Sequence, residues 1–298
     1  MGKVAQIKGD LDDVEALLEI ITILKDVSTN RFFAFAQQKE DLGKFLEIFL
    51  IFFDMVAGIQ TSCPLVRNEN PATDIVLITS ESSFMSQMNT RACSAALAEF
   101  QKNPSARIVC VGKRGIDRCK ALGMRVDKAY ENVDAVGRYE TSLMIRDYLI
   151  DRIMTGTTGK VVCIYIWPKS FSVLKPRVVK LLPATELLSD QEEQAEGEQK
   201  KEEKSNQQVK DVLQESGIDG IMKVLADIWV SSRIFEILSD TKLAEAAAQS
   251  QQLESAMEGL GKEKSGLMLG FKKAVRGDLN AAMREVFTSQ KAIKSRGR

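Results

Sequence analysis

Apolar residues recur every three or four positions near both ends of the chain, and between those regions the spacing tightens to short continuous runs. In the N-terminal stretch Val14, Leu17, Leu18, Ile21 and Leu24 share one face of a helix at 100° per residue. Ile20, Ile23 and Val27 widen that face, and Glu15, Glu19, Thr22 and Asp26 are left with a narrow polar strip. A surface helix normally carries an apolar stripe of roughly 100°. This one is wider and needs more than one neighbour. The pattern predicts a helix over 9–58, either unbroken or joined near Gly43, with Asp10 as its N-cap. Its most apolar part, "FLEIFLIFFDMV" from Phe45 to Val56, falls short of the roughly 18–20 residues of a membrane span. Glu47 and Asp54 interrupt it as well, so it reads as a buried helical face.

The middle of the chain alternates. "DIVLITS" (74–80), "ARIVCVG" (106–112) and "KVVCIYIW" (160–167) are β-branched runs of strand length, and "PRVVKLLP" (176–183) is a fourth. Helical stretches lie between them at 89–101, 115–122 and 138–154. Strand and helix in alternation predict an α/β fold with a mostly parallel sheet. Residues 189–208 hold almost no apolar side chain, and such a segment cannot offset its ordering entropy, so a charged flexible linker is expected there. From 209 the helical period returns. Leu243, Ala246, Leu253, Met257, Leu260, Met268, Phe271, Val275, Leu279, Ala282, Val286 and Ile293 fall on one face. Glycines at 259, 261, 266, 270 and 277 each cost about 1 kcal/mol against alanine in a helix interior, which predicts a bend or break near 259–270. The expected organisation is thus an N-terminal helix over 1–60, an α/β domain over 71–188, the linker, and a C-terminal helix over 209–298. Two long helices leaving the same side of one domain must run antiparallel, and their apolar faces can pair as a coiled coil. That pairing covers one stripe of the first helix. The surplus arc calls for another protein.

Charge and chemistry narrow the function. Forty-one basic residues balance 41 acidic ones, so neither a nucleic-acid footprint nor a polybasic membrane anchor is indicated. Without histidine the Ser-His and Cys-His dyads and most zinc sites are excluded. Five cysteines with no CxxC spacing read as buried, reduced thiols of an intracellular compartment. The N-terminus is charged and helix-patterned rather than leader-like. "TGTTGKV" (155–161) has its glycines too close together, and Val161 follows the lysine, so it is no phosphate loop. "VGKRGIDRCKALG" (111–123) puts Gly112 and Gly115 after a strand without the G-x-G-x-x-G spacing. No catalytic, cofactor-binding or metal-ligating residue is expected.

Several segments, in order along nearly the whole chain, resemble the gamma subunit of rotary F-type ATP synthases. Ile21-Thr22 and Ala36-Gln37 stand at the two ends of a stretch similar to the family's I-T-x-A-M-K-M-V-A-A-x-K-x-x-x-A-Q. "TSESSFMSQMN" (79–89) is similar to its T-S-D-x-G-L-C-G-x-x-N loop, and "VGKRG" to its G-x-K-G turn. "WPKSFSVLKPRVVKLLP" (167–183) is similar to its F-x-S segment and L-L-P strand end. "LNAAMREVFTSQKAIKS" (279–295) is similar to Y-N-x-x-R-Q-x-x-I-T-x-E-I, with Asn280, Phe287 and Thr288 in register. The chain departs from the family at Ser83-Phe84-Met85-Ser86, where two glycines are missing, at Lys25-Asp26, and at Met283, where the family has arginine and Arg284 stands adjacent.

The resemblance implies a Rossmann-like domain carrying an antiparallel coiled coil that serves as a non-catalytic central shaft. It implies alpha- and beta-type subunits of a catalytic hexamer, an epsilon-type small stalk subunit and a membrane ring of ion-binding subunits as partners. Its place would be peripheral to the inner face of an energy-coupling membrane, the cytoplasmic side in a bacterium. Ile21, Thr22, Lys25, Asn280, Arg284, Phe287 and Thr288 are the expected interaction residues. For Thr22 and Thr288 the alternative is that they satisfy helix backbone groups. Competing functions are a non-rotary coiled-coil scaffold, an F-type-like ATPase paralogue not used for ATP synthesis, and an enzyme built on the α/β domain.

Overall fold

The computed structural model describes the backbone of residues 2–57, 62–133, 137–184 and 218–296, and their side chains except at 45–57, 84, 218 and 290–296. The expected linker 189–208 and residues 209–217 lie outside the described residues, as do the side chains of Phe45 to Val56. The chain divides into two compact units, Asn30–Ala248 and the combination of Met1–Thr29 with Gln249–Arg298.

The larger unit holds a five-stranded sheet of β1 (Thr73–Ile78), β2 (Arg107–Val111), β3 (Val126–Tyr130), β4 (Lys160–Pro168) and β5 (Leu174–Leu182). The order is β3-β2-β1-β4-β5, parallel from β3 to β4, with β5 antiparallel at the edge. Three helices connect the parallel strands: α2 (Ser86–Lys102), α3 (Lys113–Ala121) and α4 (Arg138–Met154). All six residues of β1 are buried, as a strand covered on both faces should be. Alternation divides its side chains. Val76 and Ile78 join Val109, Val111, Cys163 and Tyr165 in a core with Ile145 and Leu149 of α4. Ile75 and Leu77 join Ile108, Cys110, Ile164 and Ile166 in a second core with Ala92, Cys93, Ile116 and Cys119 of α2 and α3. Sequence pattern alone misses β3. "VDKAY" carries two charges in five residues and is largely exposed, because an edge strand keeps its polar side chains in water and needs no apolar run.

Two long helices complete the chain, α1 (Lys3–Ala57) and α5 (Ile218–Arg296). In the larger unit α5 contributes Met222, Ala226, Trp229, Val230 and Ile234 to the first core. Polar contacts add to this. Lys39 of α1 donates to Asp240 of α5, whose other carboxylate oxygen accepts from Tyr165 of β4 at 3.4 Å. Arg138, at the start of α4, lies 4.9 Å from the Phe35 ring and 5.7 Å from the Phe235 ring. It donates to Ser239 and Gln38.

Two local expectations are corrected, and the unbroken form of α1 is the one found. Asp10 is not a cap, because α1 begins at Lys3 and continues through Gly43 without a joint. Val4 and Ile7, the least exposed residues of that first stretch, give it a face to pack. No break occurs at 259–270, since α5 is continuous from Ile218 to Arg296. Gly259, Gly261, Gly266 and Gly270 have nothing within 4 Å of an added Cβ. Each is flanked by packed residues such as Met257, Leu260, Leu267 and Phe271, whose burial offsets the loss of helix propensity. Among the described residues no helix is long and apolar enough to cross a membrane.

Candidate interaction surface

In the smaller unit the less exposed residues of α1 are Val4, Ile7, Leu11, Val14, Leu18, Ile21, Lys25 and Ser28, followed by Thr29. From Val4 to Ser28 their spacing alternates three and four, the heptad of a coiled coil. Ser250, Leu253, Met257, Leu260, Lys264, Leu267, Phe271 and Ala274 repeat it on α5. Contacts fix the pairing as antiparallel. Thr29 meets Ser250 at 3.0 Å, Lys25 meets Glu254 at 3.0 Å, Thr22 lies 3.9 Å from the Met257 sulfur, and Glu15 meets Lys264 at 3.0 Å. Every step back along α1 equals the step forward along α5. Carried on, that register puts Lys3 level with Arg276, and α5 then runs to Arg296 with no helical partner among the described residues of this unit.

A seam at 3.5 residues per repeat takes fewer residues than the apolar arc supplies. Leu17 and Leu24, placed in the buried stripe by the 100° reading, are 48% and 44% exposed. Ile20, Ile23 and Val27 are exposed with them. On α5 every described side chain from Arg276 to Ser289 is exposed, including Leu279, Met283, Val286 and Phe287. These four large apolar groups stand on the unpaired part of the helix. The helical period contained the signal for Leu279 and Val286 but placed Ala282, not Met283, on that face; only the unpaired length of α5 shows that these groups face outward.

The expected interaction residues fall into two groups. Ile21 is in the seam and half-buried. Thr22 is exposed, but its hydroxyl donates to the Leu18 carbonyl at 2.7 Å. The Lys25 ammonium is held by Glu254, with its side chain 27% exposed. Asn280, Arg284, Phe287 and Thr288 lie on the unpaired stretch, all exposed, and Thr288 donates back to the Arg284 carbonyl. Both threonines therefore bond to helix backbone, and Arg284 keeps its guanidinium free of any ion pair among the described residues.

The α/β unit fills its own anion positions. Gly112 adopts φ +94°, where a side chain is strained, and a Cβ there would meet the Thr79 carbonyl oxygen at 2.4 Å. The Thr79 hydroxyl donates to the Val111 carbonyl and accepts from the Gly115 amide, closing the turn after β2. Glu81 accepts from the Lys113 amide at the start of α3 at 3.1 Å and from the Val133 amide at 3.3 Å. A carboxylate of the chain thus occupies the helix N-terminus where a phosphate would sit. Asp74 and Arg152 form a buried two-point pair, and Thr158 accepts from the same guanidinium at 2.7 Å. The five cysteines are buried and none is in a disulfide. Cys119 is pushed up to about 12, first by its hydrogen bond to Cys110, and Cys163 to about 12 by burial. Both remain thiols at neutral pH. Among the described residues no group of three or more His, Cys, Asp or Glu is arranged to hold a metal.

Against known proteins, residues 3–292 match the family model described as ATP synthase. The chain belongs to the ATP synthase gamma-chain family. The gamma chain of Halothermothrix orenii is 22% identical over 78% of this chain and 77% of its own. That of Campylobacter lari is 20% identical over 99% of this chain and all of its own. A chain of the Euglena gracilis mitochondrial ATP synthase has the same fold, with a TM-score of 0.61 over 99% of this chain and 96% of that one, at 15% identity. A chain from the central stalk and c-ring structure of Tetrahymena thermophila ATP synthase covers 80% of this chain and 99% of its own, at 16% identity and a TM-score of 0.56. As a gamma chain, this protein is a non-catalytic rotor subunit of the central stalk.

Proposed function

We propose that the paired α1 and α5 stand inside a ring of alpha- and beta-type subunits and couple rotation to nucleotide binding in that hexamer. The observation that carries the reading is apolar surface left exposed among the described residues: Leu17, Ile20, Ile23, Leu24 and Val27 on α1, and Leu279, Met283, Val286 and Phe287 on the unpaired part of α5. An asymmetric rod in a three-fold ring meets three chemically identical sites in three ways and biases each toward a different nucleotide affinity. The coupling is reciprocal, so nucleotide binding turns the rod and turning the rod releases nucleotide.

Ile21, Thr22, Lys25, Asn280, Arg284, Phe287 and Thr288 are the residues assigned to contact the ring. Arg284 supplies a free cation, while Thr22 and Thr288 act as shape and Lys25 acts through Glu254. The α/β domain, taken as 71–188, would meet an epsilon-type stalk subunit and a membrane ring of ion-binding subunits. The linker 189–208 would join it to the C-terminal helix of 209–298, and the N-terminal helix is taken as 1–60. The chain would then be peripheral to the inner face of an energy-coupling membrane, cytoplasmic in a bacterium. Co-expression with its alpha- and beta-type partners tests the reading. The full chain should elute with a hexameric ATPase, one copy per hexamer. Elution as a free monomer beside an assembled hexamer would sink it.

A further inference from the structure

At one level the α1–α5 seam turns polar. Lys25 and Ser28 occupy consecutive core positions of the heptad on α1, and Ser250 occupies one on α5. Ser28 is 1% exposed and Ser250 is fully buried. Every polar group there is answered. Ser28 donates to the Leu24 carbonyl at 2.9 Å, Thr29 donates to the Lys25 carbonyl at 2.9 Å and shares a hydrogen bond with Ser250 at 3.0 Å, and Lys25 meets Glu254 at 3.0 Å. The second charged pair, Glu15 with Lys264, lies further along the same seam at 3.0 Å. Polar residues at core positions weaken a coiled coil and fix its register.

We propose that this layer is a register lock, holding α1 and α5 against a slide of one heptad. An apolar seam tolerates such a slide, because core positions meet core positions again seven residues on. Here neither direction is tolerated. One slide brings Thr29 to Met257, Lys25 to Gly261 and Glu15 to Phe271. The other brings Thr22 to Ser250, Glu15 to Met257 and Lys264 to Lys8. Both separate Thr29 from Ser250 and break the two charged pairs; the first leaves both hydroxyls without a cross-helix partner, and the second sets Ser250 against Thr22 but strands Thr29. The buried layer matters most, since the Glu15 and Lys264 side chains are 49% and 36% exposed and their pair is well solvated. Lys25, Ser28, Thr29 and Ser250 are positioning residues. They decide which part of α5 each α1 residue faces, and the inference stands on the seam alone, whether or not the chain turns inside a ring.

Disulfide trapping in the full chain tests it. Thr22→Cys with Met257→Cys reports the observed register, and Thr22→Cys with Lys264→Cys reports a slide of one heptad. Under copper-phenanthroline the first pair should close and the second stay at background. In a variant with Lys25→Leu, Ser28→Ala, Thr29→Val and Ser250→Ala, closure of the second pair should rise about tenfold or more, the scale set by losing buried hydrogen bonds. Its helical circular dichroism should be unchanged and its thermal midpoint unchanged or raised, a combination that a merely stabilising role does not give. Should that variant lose its helix signal, Thr29→Val with Ser250→Ala keeps the charges and is read by the same cross-link. The proposal is overturned if the second pair stays at background in a folded variant, or if it closes in the unaltered chain.

Discussion

Phe287→Ser distinguishes a covered apolar surface from an ordinary one. The ring is 69% exposed in the chain by itself, on helix that has run past its partner. Phenylalanine and serine have similar helix propensities. In the isolated chain the change therefore belongs with exposed surface substitutions, within about 0.5 kcal/mol. Inside a ring the outcome differs. Fully burying such a side chain contributes about 1.5–3 kcal/mol, so covering the exposed two thirds of this one contributes roughly 1–2 kcal/mol. Assembly should weaken by about 5–30-fold. Met283→Ser and Val286→Ser, at 63% and 57% exposure, should each do slightly less, and the three should not add fully because they are neighbours. Lys273→Ala is the control. The assay pairs the thermal midpoint of the isolated chain with retention on immobilised alpha–beta hexamer across a titration, at low and high salt. Apolar loss should persist at high salt, where charge effects are screened. Unchanged retention for Phe287→Ser, or a loss above about 1 kcal/mol in the isolated chain, would refute the argument.

Three further outcomes follow from the structure. Arg152→Met leaves the 1%-exposed Asp74 carboxylate without its two-point partner, and should cost about 3–5 kcal/mol in urea unfolding followed by Trp167 and Trp229 fluorescence, with Asp74→Leu on top recovering much of it. Gly266→Ala meets open space and should stabilise α5 by up to about 1 kcal/mol, whereas Gly115→Ala puts a Cβ 2.4 Å from the Thr79 hydroxyl and should destabilise the α/β unit, both read by thermal midpoint. Cys163 is held up to about 12 against an ordinary 9.0, so its contribution is complete below pH 9 and is lost as pH rises toward 12, where the unfolded chain gives up a proton that the native chain keeps. Urea midpoints at pH 7 and pH 10 should diverge less for Cys163→Ala than for the unaltered chain.

The pattern reading reached the architecture because its signals are local. The buried strands are continuous β-branched runs, and α4 is placed at 138–154 by its period alone. Signals that depend on what lies opposite were not legible. β3 carries Asp127 and Lys128 because one side of it faces water, and no count of apolar residues finds such a strand. Asp10 has the chemistry of a cap, but the helix starts earlier, over a stretch that the antiparallel register sets opposite α5 and where Val4 and Ile7 are half-buried. The glycines of α5 have the chemistry of a break, yet a seam packed on either side carries the helix through. As for the interaction surface, the residue types were legible and their direction was not, because facing in and facing out differ by one or two positions on a helix.

That difference explains why Leu17 and Leu24, which the 100° stripe groups with Val14 and Ile21, face outward, and it bears on function. Apolar side chains at 17, 20, 23, 24 and 27 could have been used in the seam had the heptad been phased to collect them. Instead the seam at the same level takes Lys25, Ser28 and Ser250. Inside and outside are exchanged there: the helices hold each other through hydrogen bonds and a charged pair, while the apolar groups face out. In water this arrangement is the less stable one, since exposed leucine and isoleucine contribute little and buried serine contributes less than a packed methyl group. It becomes favourable only where the outer face is covered. A chain whose sole task was to pair its own two ends would place these residues the other way round, so the phase of the heptad itself argues for a second partner around the shaft.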